Sequence, residues 1–187
     1  MPTPARTSVD EIVAAGRSIL EAEGLDGLTM QRVADAVGVR APSLYKRVRR
    51  RADLVRLIVE DVAGELTETL DAAAGTGDPR RDLRALADAI RAFAHAQPEA
   101  YRLVFSPLSD VNQPDADRLA RASAAVLRTA AALSGSEQAL EAARTVVAWA
   151  HGFISMELAG AFRLGGDVDD AYEFGVERLG AALARDS

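Results

Sequence analysis

The chain has 187 residues and a formal net charge of −6, and it contains no cysteine. Without thiols it cannot form a disulfide, a thiolate metal site or a cysteine nucleophile. The sequence contains no run of about 18 apolar residues and no apolar signal region at its start, so we expect a soluble cytoplasmic protein.

Charge is distributed unevenly along the sequence. Residues 1–58 carry 10 basic and 7 acidic side chains, whereas residues 59–187 carry 12 basic and 21 acidic ones. Between Arg40 and Arg56 there are seven basic residues and a single acid, Asp53. A basic patch attracts nucleic acid and an acidic body repels it, so this distribution favours docking on DNA by one end. A solvated arginine-rich face is the alternative interpretation.

The first 40 residues carry the start and stop signals of two helices. Ser8 and Glu11 have the spacing of a capping box, which predicts the start of the first helix. Thr29 is a good N-cap for a short second helix, and Gly38 is suited to end it. Pro42 is then tolerated in the first turn of a third helix.

The third helix is predicted to have one buried and one outward face. On a helical wheel Leu44 and Val48 point one way, while Tyr45 and Lys46 point the other, with Ser43 at their edge. Two short helices joined by a tight turn, the second displaying polar groups, are typical of a helix-turn-helix that enters the DNA major groove.

Several short motifs occur in a fixed order within the first third of the chain. They are Gly27-Leu28-Thr29, Val33-Ala34, Val37-Gly38-Val39, Leu44-Tyr45, and Arg49-Arg50-Arg51 followed by Leu54. Together they resemble the DNA-binding domain of the TetR family of bacterial transcriptional regulators, over about Ser8 to Ile58. That family usually has an aromatic residue where Val48 stands, and glycine or threonine is commoner than proline at position 42. The Trp149-Ala150-His151-Gly152 stretch also resembles the tryptophan–histidine–glycine signature of one C-terminal subgroup.

The resemblance implies a DNA-binding transcriptional regulator, and more specifically a repressor that a small apolar effector releases from a palindromic operator. Thr29, Tyr45 and Arg51 resemble the family's phosphate-contacting positions. Near the start of the third helix, Arg40 and Ser43 are candidates to read base edges, and Lys46 offers a cation for phosphate or guanine. A packing role between helices is the alternative for Tyr45.

The rest of the sequence predicts an all-α protein of about nine helices. Residues 1–55 are assigned to the DNA-binding domain and residues 56–187 to an effector-binding and dimerisation domain. Helices are expected at about 52–73, 79–96, 115–133, 137–163 and 168–185, with a short helix from Pro98 and a loop over 106–114. The helix at 137–163 is predicted to be the longest and to be capped by Ser136. The helix at 52–73 is the expected mechanical link between effector and DNA.

Large side chains in the second domain are candidates for an effector pocket, because such pockets are mostly apolar. Core packing is the alternative for each of them. They are Phe93, Tyr101, Phe105, Trp149, Phe153 and Met156. The helix at 137–163 is apolar on two faces, so one face needs a partner. We therefore expect a homodimer in which the last two helices of each subunit form a four-helix interface.

Other functional classes agree less well with the sequence. The two histidines, His95 and His151, fall on different predicted helices, and the sequence has no glycine-rich phosphate loop or paired metal-ligand spacing. We therefore expect no enzymatic activity, no cofactor and no metal. A DNA-binding protein without effector or sequence preference remains an alternative. A helical small-molecule-binding protein is another, although it leaves the arginine cluster unexplained.

Overall fold

A computed structural model describes residues 8–105 and 116–185, with side chains from residue 121 onward in the second range. Within these ranges the protein is all-helical, as predicted, and has nine helices. They are α1 (Val9–Gly27), α2 (Met30–Ala36), α3 (Ala41–Tyr45), α4 (Arg51–Ala73), α5 (Pro79–Ala96), α6 (Pro98–Phe105), α7 (Ala116–Ser134), α8 (Ala139–Leu158) and α9 (Val168–Leu183). The loop expected over 106–114 lies outside the described residues. No described helix is long and apolar enough to cross a membrane.

The described chain divides into two compact units. The first unit holds the described residues up to Gly64 together with residues 97–105, and the second holds Glu65–Ala96 and residues 117–185. Helix α4 contributes to both units because the division falls inside it, and α6 belongs to the first. The assignment of domains to residues 1–55 and 56–187 stays a prediction.

In the first unit, α1 begins with the predicted capping box. The Ser8 hydroxyl accepts the Glu11 N–H at 3.0 Å, and the Glu11 carboxylate accepts the Ser8 N–H at 2.9 Å. Gly16 faces α4 so closely that a Cβ there would lie 2.8 Å from Ile58 Cδ1. Near its end α1 is interrupted at Gly24, whose φ of 69° belongs to the left-handed region that suits glycine.

Helix α2 also starts and ends as predicted. The Thr29 hydroxyl accepts the Arg32 N–H at 3.3 Å. At the other end Gly38 has a φ of 70°, its N–H donates to Asp35 O, and the Val39 N–H donates to Ala34 O. This pair of bonds is the Schellman arrangement, which satisfies carbonyls at a helix end.

The sequence-based bounds of α8 were wrong in three respects. The longest described helix is α4, with 23 residues, whereas α8 has 20. Helix α8 ends at Leu158 because Gly160 adopts a φ of 62° and completes a second Schellman arrangement, so the predicted extension to residue 163 does not form. The N-cap is Gln138 and not Ser136, because a turn from Gly135 to Gln138 precedes the helix.

The core of the second unit is centred on Tyr172 of α9. Its ring stacks on Trp149 at 5.2 Å between centroids and meets Phe153 edge-on at 5.1 Å. Its hydroxyl donates to the carbonyl oxygen of Ala87 at 2.7 Å, and the Arg91 guanidinium lies 4.6 Å above the ring centroid. Helices α5, α8 and α9 therefore meet at one aromatic side chain.

Candidate nucleic-acid interface

Helix α3 is short and is held by two buried anchors. It follows Arg40, which is its N-cap residue without a side-chain capping bond, and Pro42 lies in its first turn. The Leu44 and Val48 side chains are each 1% exposed. The predicted inward face is therefore confirmed, and Val48 is fully buried although it is smaller than the aromatic residue usual in the family.

The opposite side of α3 presents polar and cationic groups to solvent. Arg40, Ser43 and Lys46 are exposed, and the Tyr45 side chain is 47% exposed. Thr29, at the start of α2, is also exposed, although its oxygen already accepts the Arg32 N–H. Because a hydroxyl can accept one hydrogen bond and donate another, the Thr29 hydroxyl can still donate to a phosphate.

The cations of this region differ in whether they already have a partner. Four of them, namely Arg40, Lys46, Arg47 and Arg49, form no ion pair with any described residue, and all are exposed. By contrast, Arg50 pairs with Asp53 at 3.1 Å and Arg56 pairs with Glu60 at 2.7 Å. The DNA contacts predicted from the sequence do not include Arg47 and Arg49, although both lie in the arginine-rich stretch that indicates the site.

Arg51 differs from the other predicted DNA contacts. Its Nε donates to the carbonyl oxygen of Leu28 at 2.7 Å, and a terminal nitrogen donates to the carbonyl oxygen of Leu25. The guanidinium therefore has two backbone acceptors at the end of α1, whereas Lys46 and Arg49 have no protein acceptor in the described chain.

The predicted effector residues lie in both units. Tyr101 and Phe105 are on α6 in the first unit, with their ring centroids 4.7 Å apart. The others are in the second unit, where Trp149 contacts Phe153 at 5.7 Å between centroids. Phe93 is buried there, while the Met156 side chain is 48% exposed. The structure therefore brings together two pairs of these residues.

The second unit contains a small apolar cavity with a volume of about 40 Å³. Helices α5, α7 and α8 line it, together with the end of α4. Its walls include Leu70, Leu86, Ile90, Val126, Ala130 and Ala150. The six residues predicted to bind an effector are not among its described lining residues. The predicted effector residues are mostly aromatic, whereas the side chains that line the cavity are mostly aliphatic.

Two family models match the chain. The model described as bacterial regulatory proteins, tetR family, matches residues 6–58, and the model described as tetracyclin repressor-like, C-terminal domain, matches residues 83–179. The chain belongs to the TetR family. Regulators of this family are non-enzymatic DNA-binding transcription factors, which confirms the helix-turn-helix and the expectation that this chain is not an enzyme.

Similar proteins match the chain over nearly its full length, one by sequence and two by fold. The chain is 32% identical to an uncharacterized HTH-type transcriptional regulator of Mycobacterium tuberculosis over 97% of this chain and 84% of that protein. A protein of unknown function from a Rhodococcus species shares the fold at a TM-score of 0.80, with 24% identity, over 98% of this chain and all of that one. A TetR variant from Acinetobacter baumannii, solved with minocycline, shares it at 0.70, with 20% identity, over 95% and 96% of the two chains.

Proposed function

We propose that this TetR-family regulator is a sequence-specific repressor that a small apolar effector releases from a near-palindromic operator. The observation that carries the proposal is the surface around α3. There, exposed cations and a tyrosine hydroxyl surround a helix that Leu44 and Val48 anchor from beneath. A short helix held rigidly on one side and polar on the other is suited to enter a major groove.

The proposed contacts divide by chemistry. Three exposed cations form no ion pair with a described residue, and we assign them to phosphates: Lys46, Arg47 and Arg49. We also assign Lys46 as a candidate contact to a guanine edge. The hydroxyls of Thr29 and Tyr45 fix the register by donating to phosphate oxygens. Such contacts release condensed counterions, so binding weakens as the salt concentration rises.

The side chains around the start of α3 are assigned to sequence recognition. Arg40 and Ser43 flank the first turn of the helix, and both are exposed. An arginine recognises guanine by two parallel hydrogen bonds, and a serine hydroxyl bonds to more than one base. Substitution of Arg40 is therefore expected to relax sequence preference, whereas substitution of Arg49 weakens binding to all sequences alike.

A dimer supplies the second half of the contact. Helix α3 has five residues, too few to give high specificity alone, and paired recognition helices read half-sites about one DNA turn apart. Apolar side chains remain exposed on the last two helices, including Leu140 (46%), Val147 (38%) and Phe174 (60%). Homologues in the family dimerise. We assign these side chains to a four-helix interface between two copies.

The aliphatic cavity of the second unit is the proposed effector site. Its described walls are hydrocarbon apart from Thr129, so the complementary ligand is apolar. Helix α4 supplies Leu70 to the cavity wall and begins at Arg51 in the first unit, so one continuous helix takes part in both sites. The effector releases DNA only to the extent that it binds one conformation better than the other.

Selection of bound fragments from the source genome tests the proposal. The purified protein is mixed with sheared genomic DNA at moderate salt, bound fragments are sequenced, and the selection is repeated with lipophilic compounds. Enrichment of a near-palindromic motif is expected; it should be lost with Lys46→Gln but kept with Arg80→Gln, at an exposed arginine of the second unit. Uniform recovery of fragments would instead favour non-specific DNA binding, and enrichment that no compound alters would favour an effector-independent regulator.

A further inference from the structure

The start of α4 is fastened to the end of α1 by one side chain. Arg51, the first residue of α4, donates from Nε to the Leu28 carbonyl at 2.7 Å and from a terminal nitrogen to the Leu25 carbonyl. Both carbonyls belong to the final turn of α1 and its C-cap. The planar guanidinium suits this role because its N–H groups form a fixed fork that reaches two acceptors at once.

The end of α1 needs an external donor. The last carbonyls of a helix lack partners within it, and cations are favourable beside them. No basic residue occurs in the last turn of α1, and the break at Gly24 isolates the turn that follows. Within the helix end, the Leu28 N–H also donates to the Leu25 carbonyl, at 3.3 Å. Arg51 therefore supplies the positive charge that α1 lacks.

The fastened segment leads directly into the helix-turn-helix. The Leu28 side chain is completely buried, and the next residue, Thr29, is the N-cap of α2. A change in position of the Leu28 carbonyl therefore changes where α2 begins, and α3 follows only a few residues later. Arg51 therefore joins the first residue of α4 to the segment that directly precedes α2.

We propose that Arg51 is a positioning residue that aligns the helix-turn-helix on α4, and that it supports DNA binding through this geometry and not by neutralising a phosphate. The proposal rests on DNA binding through α3. It differs from the role implied by resemblance, in which the residue at this place contacts phosphate. If effector binding displaces α4, the hydrogen bonds of Arg51 transmit that displacement to the start of α2.

The test compares Arg51→Gln and Arg51→Lys with Arg49→Gln, which removes the same charge from an exposed arginine without a described partner. Affinity for a labelled duplex obtained by genomic selection is measured over a series of KCl concentrations. A lost phosphate contact lowers the slope of log affinity against log salt by about one. We expect that change for Arg49→Gln. For Arg51→Gln we expect an affinity loss of about tenfold with the slope unchanged.

Two further measurements distinguish a positioning role of Arg51 from a phosphate contact. Hydrogen exchange of the free protein should quicken at the bonded amides of Leu28, Arg32 and Val33 in both Arg51 variants, with a fall in melting temperature, and neither should occur in Arg49→Gln. Lysine keeps the charge but loses the fork, so Arg51→Lys should behave like Arg51→Gln. Rescue by lysine, or a reduced slope with unchanged exchange, would overturn the proposal. Hydrogen exchange and melting temperature test the positioning role of Arg51 even if the wild-type protein binds no duplex. Failure to bind any duplex would count against the proposed function instead.

Discussion

Trp149 of α8 and Gly175 of α9 are in such close contact that no side chain fits between them. A Cβ on Gly175 would lie 2.1 Å from Trp149 Cζ2, well inside van der Waals contact. The ring of Tyr172 stacks on the same indole, with 5.2 Å between the ring centroids. The pairing of α8 with α9 therefore depends on the absence of a side chain at position 175.

Gly175→Ala is expected to destabilise the protein, although alanine is the better helix former. Overpacking of a filled core costs about 1–3 kcal/mol, which exceeds the gain of about 1 kcal/mol in helix propensity. Gly64→Ala is the matched control, because Gly64 is an exposed helical glycine with open space around it, and it should be neutral or stabilising. Urea unfolding measures both variants. Equal midpoints for the two would show that the indole yields without cost.

Glu21 is expected to stabilise the first unit by capping α6. Its two carboxylate oxygens accept the N–H groups of Ala100 at 2.7 Å and Glu99 at 3.2 Å, at the start of α6. An anion at this end of a helix satisfies free donors and interacts favourably with the helix dipole. Glu21→Ala should cost about 1 kcal/mol of unfolding free energy. Glu68→Ala, at an exposed carboxylate of α4, should cost almost nothing, and a similar loss in both variants would contradict the capping role.

Glu157 is expected to make stability depend on acid pH. The Arg91 guanidinium, which donates to it from Nε at 3.0 Å, and secondarily His95 hold the pKa of this carboxyl below its ordinary value of 4.5. A lowered folded-state pKa stabilises the protein above 4.5, and this contribution is lost as pH falls through the folded-state value. Glu157→Gln should therefore cost about 1–2 kcal/mol near neutral pH, discounted for partial exposure.

The deficit of Glu157→Gln relative to wild type should shrink as the solution is acidified. Asp169→Asn is the control, because Asp169 accepts from the same guanidinium but its side chain is 79% exposed, and it should have a smaller effect. Unfolding midpoints from neutral pH to pH about 3 follow the two variants. A deficit that stays constant over this range would show that the ion pair contributes nothing to the acid dependence.

Ala150→Leu is expected to abolish effector binding by filling the cavity. Ala150 lines the cavity and is 3% exposed, whereas its neighbour Ala148 is exposed and is not among the lining residues. A ligand that binds only the folded state raises the melting temperature, and the increase grows with the ratio of free ligand concentration to Kd. Apolar compounds that stabilise wild type and Ala148→Leu should leave Ala150→Leu unchanged. Equal stabilisation of all three proteins would place the effector elsewhere.

Local signals in the sequence predicted the first unit well. The capping box at Ser8, the Thr29 cap and the Gly38 stop depend on bonds between residues a few positions apart, which the sequence shows directly. The end of α8 depends on a similar glycine signal at Gly160, but apolar residues continue past that glycine and predict a longer helix. The role of Arg51 could not be predicted in this way, because its acceptors lie more than twenty positions earlier in the chain.

The pocket depends on long-range packing and was harder to predict. The sequence predicts that six large side chains converge between helices, yet Tyr101 and Phe105 belong to the unit that holds the helix-turn-helix. Trp149 and Phe153 are half-buried and pack on the buried Tyr172, and neither lines the cavity. Space remains instead beside smaller aliphatic side chains, and where packing leaves a gap is a property of the assembled helices.

The central claim is that the surface around α3 reads a particular DNA sequence. Fluorescence anisotropy tests it most directly, with a genome-selected duplex and a shuffled duplex of the same composition, at about 0.15 M salt. The account predicts that wild type binds the selected duplex about a thousandfold more tightly, and that Arg40→Gln with Ser43→Ala, at two exposed side chains, removes most of this difference without lowering the melting temperature. Equal affinity of the folded wild-type protein for both duplexes would contradict it.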